Sequence, residues 1–282
     1  MGRILLLVAK RSYRAQAFLD AAERLGVDVV VGGDHRPALG DLVPGHAIEV
    51  PLGDVLAGTR TIAEFARTHT LDAVLAAEDD GALLAAHAAA VLGIPHNPPD
   101  AVGAARFKHR MRERLATAGV PVPDYRIASA GDDPLRVAAG VPFPAVVKPV
   151  ALAASRGVIR ADDERELAAA FRRVERLLED PEVAARGGDA ARAILIEEYV
   201  AGPEVAVEGL LTDGRLEVLA IFDKPDPLEG PTFEETIYVT PCRLPPAAQE
   251  AIAAATARTA EALGLVTGPA HAELRLGVRG PV

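Results

Sequence analysis

The first hundred residues alternate between short apolar runs and longer helical stretches, and this alternation constrains the fold more than any other feature. The predicted strands are Ile4–Val8, Val27–Val31 and Ala73–Ala76, and the predicted helices are Ala15–Arg24, Thr61–Thr68 and Gly81–Leu92. Strands that alternate with helices form a parallel sheet. Residues 1–103 are therefore predicted to form an N-terminal Rossmann-like α/β domain, which ends at the proline-rich connector Ile94–Asp100.

A parallel sheet of this kind suggests a dinucleotide-binding domain, but the necessary glycine pattern is missing. The first strand is followed by Ala9-Lys10-Arg11-Ser12 instead of G-x-G-x-x-G. The NAD hypothesis therefore loses its main support. After the third strand, Glu78, Asp79 and Asp80 begin a helix, where acidic side chains compensate the helix dipole. A substrate-binding role for Glu78 is the alternative.

Composition excludes several classes of partner. The net charge of −10 argues against nucleic acid as a partner, because a polyanion needs a basic surface. The apolar run at Ile4–Val8 is too short for a membrane span or a signal core. The single Cys242 allows no intrachain disulfide and fits a reducing compartment. We therefore expect a cytoplasmic protein that binds neither nucleic acid nor membrane.

The stretch Phe143–Gly157 combines a strand, a lysine and a loop of small residues. The apolar run Ala145–Val147 ends in Lys148-Pro149, and Ala151–Gly157 follows. Small residues let backbone amides approach a ligand, and amides beside an ammonium group can hold phosphate oxygens. The same combination occurs in proteins that bind no phosphate, so this stretch alone leaves both readings open.

A second stretch, Ile194–Glu204, strengthens the phosphate reading. A buried strand over Ile194–Ile196 leads into Glu197-Glu198-Tyr199-Val200 and a Gly-Pro turn that ends at Glu204. If a strand then runs from Glu204 to Glu208, both of these carboxylates face the same side. They would border a cleft.

Lysine is rare in this chain. Of the 30 basic residues, only Lys10, Lys108, Lys148 and Lys224 are lysines. Where arginine is used almost everywhere else, a lysine indicates a site that needs a compact point charge. On its own helix, Lys108 lies among arginines, and a solvated basic face is the alternative reading.

Together these motifs resemble the nucleotide site of the ATP-grasp superfamily, and more narrowly its carboxylate–amine ligases of the L-amino-acid-ligase type. The similarity extends along the whole chain and keeps the family's motif order and spacing. It implies an ATP-grasp domain after the N-terminal domain. This domain would comprise a linker helix with a small lid subdomain over residues 104–193 and a larger antiparallel-sheet subdomain over 194–282.

The resemblance also implies roles for individual residues. Those expected to bind ATP are Lys108, Lys148, Ser155, Arg156, Gly157, Glu197, Glu198, Tyr199, Val200 and Glu204. Within this set the backbone of Glu198 and Val200 would read the adenine edge, and Glu204 would accept hydrogen bonds from the ribose hydroxyls.

The resemblance assigns catalytic roles to Lys148 and Arg275. It assigns the binding of magnesium or manganese to Glu273. His271, Glu273 and Arg275 share one face of a predicted strand, Gly268–Leu276. The exposed face of an edge strand is the alternative interpretation of this pattern.

Outside these motifs, helices are predicted over 101–118, 162–178 and 247–263, the last ending at Gly264. Ala220–Thr236 has neither helical nor strand periodicity and is predicted to be a functional loop. It contains Lys224, Glu234 and Glu235, to which the sequence assigns no role. A turn over Gly277–Gly280 is predicted to lead into a further strand at Pro281.

The implied activity is ATP-dependent ligation of a carboxylate to an amine through an acyl phosphate. Amino acids are the expected substrates, and a homodimer is possible. The family's second metal-binding glutamate would lie past Val282, so we expect this chain to resemble a ligase that lacks part of its catalytic domain, to bind MgATP weakly and not to ligate. Two alternatives are a nucleotide-binding module without catalysis and a biotin-dependent carboxylase subunit.

Overall fold

The computed structural model describes residues 2–10, 12–35, 45–181, 183–184, 190–233 and 237–282. Arg11, Glu234 and Glu235, which the sequence singled out, lie outside these ranges. The chain divides into two compact units, Met1–Arg106 and Phe107–Val282. None of the helices within the described ranges has the length and apolar character needed to cross a membrane.

The first unit is the predicted parallel α/β domain. Its strands are β1 (Arg3–Leu7), β2 (Asp28–Gly33), β3 (Ala47–Glu49) and β4 (Ala73–Ala76), and all neighbouring pairs in the order β3-β2-β1-β4 are parallel. Its helices are α1 (Ala15–Leu25), α2 (Val55–Ala66), α3 (Asp79–Leu92) and α4 (Pro99–Arg106). The core is formed by fully buried side chains such as Leu5, Val30, Ile62 and Leu84.

Two features of this unit differ most from prediction, the start of α2 and the strand β3. Helix α2 begins at Val55, six residues before the predicted start, because the Asp54 carboxylate accepts a hydrogen bond from the Ala57 amide at 2.9 Å and caps the helix. Strand β3 was missed because it has only three residues. In contrast, β4 has the predicted bounds.

The second unit contains two antiparallel sheets. The β6 sheet has the order β5-β8-β6-β7, and its strands are β5 (Tyr125–Ser129), β6 (Ala145–Pro149), β7 (Ile159–Ala161) and β8 (Ala193–Glu198). The β9 sheet has the order β10-β9-β11-β12, and its strands are β9 (Glu204–Thr212), β10 (Arg215–Lys224), β11 (Gly268–Gly277) and β12 (Gly280–Pro281). The parallel sheet of the first unit and the antiparallel sheets here confirm the predicted fold class.

Helices cover these sheets: α5 (Lys108–Thr117), α6 (Pro134–Ala138), α7 (Glu164–Leu178) and α8 (Pro246–Leu263). Helix α7 buries its predicted apolar stripe, including Phe171, against Val147 and Ile196 of the β6 sheet. Helix α8 packs Ile252 against β9 and β11 and ends, as predicted, at Gly264.

The predicted helix over 101–118 is wrong, because the structure has two helices separated at Phe107. Phe107 has extended backbone angles, φ −96° and ψ 108°. The Lys108 amide donates to the Val150 carbonyl at 3.1 Å. A helical amide would bond four residues back instead, so this contact ends the first helix and starts the second.

The prediction of a loop from Ala220 is also wrong. Residues 220–224 are the last part of β10, where they pair with Glu204–Glu208 of β9. A shift of register between Val218 and Ala220 interrupts the alternation of side chains along β10. The sequence pattern therefore shows no strand period, although the backbone pairing continues to Lys224.

Candidate functional site

Lys148 and Glu197 form a buried ion pair where β6 and β8 run side by side. Val146 pairs directly with Glu197, so Lys148, two residues on, lies on the same face of the sheet. The Lys148 ammonium contacts Glu197 Oε2. On the other side, Arg112 of α5 places its Nε 2.6 Å from Glu197 Oε1. The Glu197 side chain is only 4% exposed.

Electrostatics keep this carboxylate ionised. Burial opposes ionisation of Glu197, but the charges of Lys148 and Arg112 outweigh it and lower its pKa to about 2. Burial also lowers the pKa of Lys148, an effect that the charge of Glu197 opposes. With both cations protonated, these three side chains sum to +1, and the charge of Glu204 also acts on Lys148.

The small-residue loop follows Lys148 directly. Ala154 and Ser155 have φ values of 55° and 52°, which lie in the left-handed region that non-glycine residues seldom adopt. Such strained backbone is concentrated at ligand-binding sites, and the Ser155–Gly157 amides belong to this turn. Arg156 is exposed, and its amide donates to the Ala153 carbonyl at 3.3 Å.

Lys108 is tied to the start of the same loop. Its ammonium donates to the Leu152 carbonyl and its amide to the Val150 carbonyl. Because Lys148 is the next-to-last residue of β6 and lies just before these residues, Lys108, Lys148 and the loop belong to one local structure.

The segment after β8 offers hydrogen-bonding groups on its backbone. The Glu198 amide donates to the Asp124 carbonyl at 2.8 Å, and the Val200 carbonyl accepts from Arg275 at 3.2 Å. Glu198 and Val200 each have one further backbone group: the Glu198 carbonyl is an acceptor, and the Val200 amide is a donor. The edge of adenine requires one acceptor and one donor.

The Gly202-Pro203 turn then passes directly over β11. Gly202 has φ 131°, and a Cβ atom at this position would overlap the Leu276 carbonyl oxygen. The Leu276 amide in turn donates to the Pro203 carbonyl at 2.9 Å. The turn is thereby fixed to the strand that carries Glu273 and Arg275.

Glu204 lies between two cations. Its Oε1 is 2.8 Å from Lys224 Nζ, and its Oε2 is 2.9 Å from Arg275 Nε. Lys224 also contacts Glu273 Oε1 at 2.5 Å, and its side chain is only 3% exposed. The buried Lys224 ammonium therefore connects Glu204, which is predicted to bind the ribose, to Glu273, which is predicted to bind the metal.

Arg275 connects the sheet to Tyr199 and to the segment after β10. Its guanidinium donates to the Tyr199 hydroxyl at 3.2 Å and to the Leu228 carbonyl at 2.6 Å. The Arg275 Cζ lies 5.1 Å from the centre of the Tyr199 ring, and the Cζ of Arg160 on β7 lies 4.4 Å from it. Both distances allow cation–π attraction.

His271 continues the row of charges along β11. Its Nδ1 is 2.8 Å from Glu208 Oε1 and its Nε2 is 3.7 Å from Glu273 Oε1. The nearby carboxylates of Glu273 and then Glu208 raise the pKa of His271 to about 9 against the effect of burial. His271 is therefore protonated at neutral pH.

The fit of this region to magnesium depends on Glu273. In the part of the chain that the structure describes, no group of three or more His, Cys, Asp or Glu side chains is arranged to hold a metal ion. Glu273 is 42% exposed and offers hard oxygen atoms. Magnesium in nucleotide sites is commonly held by one or two carboxylates together with phosphate oxygens, so this one carboxylate fits such a shared site.

The structure groups the predicted site residues in two places. Lys108, Lys148, Glu197 and the loop lie at the end of β6, while Glu204, Glu273, Arg275 and Tyr199 lie on and beside the β9 sheet. Glu197 directs its carboxylate to Lys148 and Arg112.

Sequence reasoning gave no role to Arg112 or Lys224. Arg112 is four residues after Lys108 and so shares its helix face, which was the available signal. Lys224 was one of the four lysines, but no partner could be named.

Comparisons with known proteins identify the families that the chain resembles. Residues 141–282 match the ATP-grasp domain family, and residues 19–96 match the ATP-grasp N-terminal domain family. The solved structure of an L-amino acid ligase from Bacillus licheniformis is 28% identical, with a TM-score of 0.83, and the alignment covers 100% of this chain and 67% of that chain.

Two curated relatives match part of the chain. Carnosine synthase 1 of Gallus gallus is 35% identical over 218 residues, which are 74% of this chain and 23% of that protein. Alanine–anticapsin ligase of Bacillus subtilis (strain 168) is 28% identical over 184 residues, 61% of this chain and 38% of that protein. This chain thus spans well under half the length of either relative.

Proposed function

The chain belongs to the ATP-grasp family, and we propose that it carries the nucleotide site of an ATP-dependent carboxylate–amine ligase. In this proposal a substrate carboxylate oxygen attacks the γ-phosphorus of ATP, and ADP leaves. The amine nitrogen then attacks the acyl carbon of the acyl phosphate, and inorganic phosphate leaves with the electron pair of the broken C–O bond. The amine gives up a proton, and an amide is formed.

One observation carries the proposal: the two cationic side chains of Lys148 and Arg112 share the single carboxylate of Glu197, and a loop of small residues follows Lys148. An excess cation in a poorly solvated place favours an anionic ligand. The Ser155 and Gly157 amides of the loop would supply neutral donors beside it. A polyphosphate fits both features.

The chemistry assigned to these residues is electrostatic. Phosphoryl transfer depends mainly on positioning and on neutralising charge at the phosphoryl oxygens. Lys108, Lys148 and Arg275 would supply fixed positive charge. Glu273 would hold magnesium, which supplies further neutralisation of the phosphates when bound.

The remaining residues would hold the nucleoside. The Glu198 carbonyl and the Val200 amide would bind adenine. Glu204 already accepts from Lys224 and Arg275, but each carboxylate oxygen can accept more than one hydrogen bond, so the ribose hydroxyls can still donate to it. Lys224 and Arg275 would then hold the Glu204 carboxylate in position to accept hydrogen bonds from the ribose.

Amino acids are the proposed carboxylate and amine substrates. The solved structure named an L-amino acid ligase and the relative named alanine–anticapsin ligase support this class. A cytoplasmic location, a homodimer and the use of manganese in place of magnesium stay predictions.

Calorimetric titration with MgATP tests the nucleotide site. Lys148→Met should abolish measurable binding, whereas Lys10→Met, which changes an exposed lysine in the first unit, should bind like the unchanged protein. Thermal unfolding of each variant checks that it is folded. Equal affinities in the two variants would remove Lys148 from the site.

Phosphate release tests the reaction class. Release that depends on added amino acids supports ligation, whereas release that requires bicarbonate and biotin supports a carboxylase.

A further inference from the structure

We propose that Arg112 is a positioning residue that keeps the charge of Lys148 available to phosphate, an inference that rests on the proposed nucleotide site. Arg112 touches Glu197 and is assigned no contact with the nucleotide. Its action on the ligand would pass through Glu197 and Lys148.

The geometry joins Arg112 and Lys148 through a single carboxylate. Arg112 approaches both oxygens of Glu197, with Nε 2.6 Å from Oε1 and the terminal NH2 nitrogen 3.4 Å from Oε2. Lys148 contacts the same Oε2. The side chains of Arg112 and Lys148 are 17% and 14% exposed, so water screens neither charge well.

The charge balance gives Arg112 its effect. Without Arg112, Lys148 and Glu197 would form a neutral pair, and the ammonium would have its charge fully compensated before any phosphate arrived. With Arg112 present, the carboxylate is shared between two cations. The remaining +1 charge then lies at the end of β6, directly before the small-residue loop.

Arg112 also connects the two lysines assigned to phosphate. Lys108 and Arg112 are four residues apart on α5 and share one helix face. The Lys108 amide is fixed to Val150, two residues after Lys148. The contact of Arg112 with β8 is therefore a second attachment of the same helix to the β6 sheet, and it holds both ammonium groups in one arrangement.

The phosphate contribution to binding can be measured by comparing ATP with adenosine. Adenosine has the same base and sugar but no phosphates, so the ratio of its dissociation constant to that of ATP reports the phosphate contacts. ATP is measured by calorimetry and the weaker adenosine by ligand-observed NMR. The variants are Arg112→Gln and the double variant Arg112→Gln with Glu197→Gln.

Arg110→Gln is the matched control. It removes one exposed arginine from the same helix and changes the net charge by the same amount. Arg112→Gln leaves Lys148 and Glu197 paired, so no buried charge loses its only partner. The double variant removes the carboxylate as well and leaves the Lys148 ammonium uncompensated. It is measured at neutral and at mildly acid pH, because the loss of Glu197 lets burial lower the pKa of Lys148 further.

We expect the ratio to fall about tenfold in Arg112→Gln, the size of one charge-assisted hydrogen bond, and adenosine affinity to stay unchanged. The double variant should recover most of the loss, and the control should match the unchanged protein. A ratio that Arg112→Gln leaves unchanged overturns the inference. A loss that the double variant fails to recover also overturns it, because deleting Glu197 would not restore a purely structural contribution of Arg112. If the unchanged protein binds ATP no better than adenosine, the proposed function itself fails.

Discussion

Lys224 and Glu204 lie directly opposite each other on β10 and β9, and their charged ends are 2.8 Å apart. Arg275 is the direct partner of Glu204 on the other side, on β11. A cation, an anion and a cation thus form one row across three strands. Opposite charges in directly opposed positions stabilise a sheet, so this row contributes to stability as well as to the candidate site.

Lys224→Met is expected to lower the free energy of unfolding by roughly 1 to 3 kcal/mol. Glu204 keeps Arg275, but Glu273 loses a contact to the buried ammonium. Urea unfolding followed by circular dichroism gives the value. Lys10→Met is the control for loss of an exposed lysine, and an equally small effect of both changes would contradict the expectation.

Glu204→Gln is expected to weaken ATP binding by roughly 1.5 to 3 kcal/mol, because a charged acceptor for the ribose hydroxyls is lost. Binding of 2′,3′-dideoxy-ATP should change much less. Calorimetry with both nucleotides measures the difference.

The matched control is Glu208→Gln, on the same face of β9 and paired with His271. Equal losses for the two nucleotides in Glu204→Gln would mean that Glu204 acts only through Lys224 and Arg275.

The stability of the protein should depend on Glu197 at acid pH. The folded-state pKa of Glu197 is about 2, below the ordinary value of 4.5. A carboxylate with a lowered pKa contributes stability that is present above the unfolded value and is lost as pH falls through the folded value. The loss should therefore occur between about pH 4.5 and 2, and its full size is on the order of 3 kcal/mol.

Unfolding free energies from pH 7 to pH 3 test this. In Glu197→Gln the slope against pH should be shallower than in the unchanged protein, whatever the absolute stability. Glu217→Gln, which changes an exposed acid on β10, should keep the original slope. Parallel curves for all three proteins would show that Glu197 does not titrate in this range.

Gly157→Ala is expected to cost roughly 2 to 4 kcal/mol, from left-handed strain together with overpacking. Gly157 has φ 79°, and an added Cβ would lie 2.7 Å from Leu177 Cδ2. The control is Gly214→Ala, which has nearly the same φ, 78°, and nothing within 4 Å of the added atom. It should lose only about 1 kcal/mol. Urea unfolding of both variants separates the contacts with Leu177 and Pro149 from the left-handed strain, and equal losses would show that these contacts cost nothing.

The sequence predicted the elements whose pattern is produced by burial alone. Ala73–Ala76 and the apolar stripe on α7 pack on the core side, and the spacing of their apolar residues in the sequence reflects this packing. Strand β10 was missed because a register shift interrupts its alternation and because Asp223 and Lys224 carry charges used in ion pairs. Strand β7 has only three residues, too few for a period to be recognised.

The candidate site was partly predictable for the same reason. Lys148 stands at the end of an apolar strand and is therefore conspicuous. Arg112 lies among other arginines on α5, and only the fold shows that Glu197 of β8, 85 residues later, meets its side chain. A partner so distant in sequence depends on the attachment of α5 beside the paired strands β6 and β8, and no local pattern predicts it.

The close passage of Gly202 over the Leu276 carbonyl has a genetic consequence. Every missense change of a glycine codon adds at least a Cβ atom, and at this position that atom would overlap the backbone of β11. Backbone cannot move aside as a flexible side chain can. In a saturation library this codon should tolerate only synonymous changes, while codons for glycines in open turns, such as Gly119, should accept several substitutions.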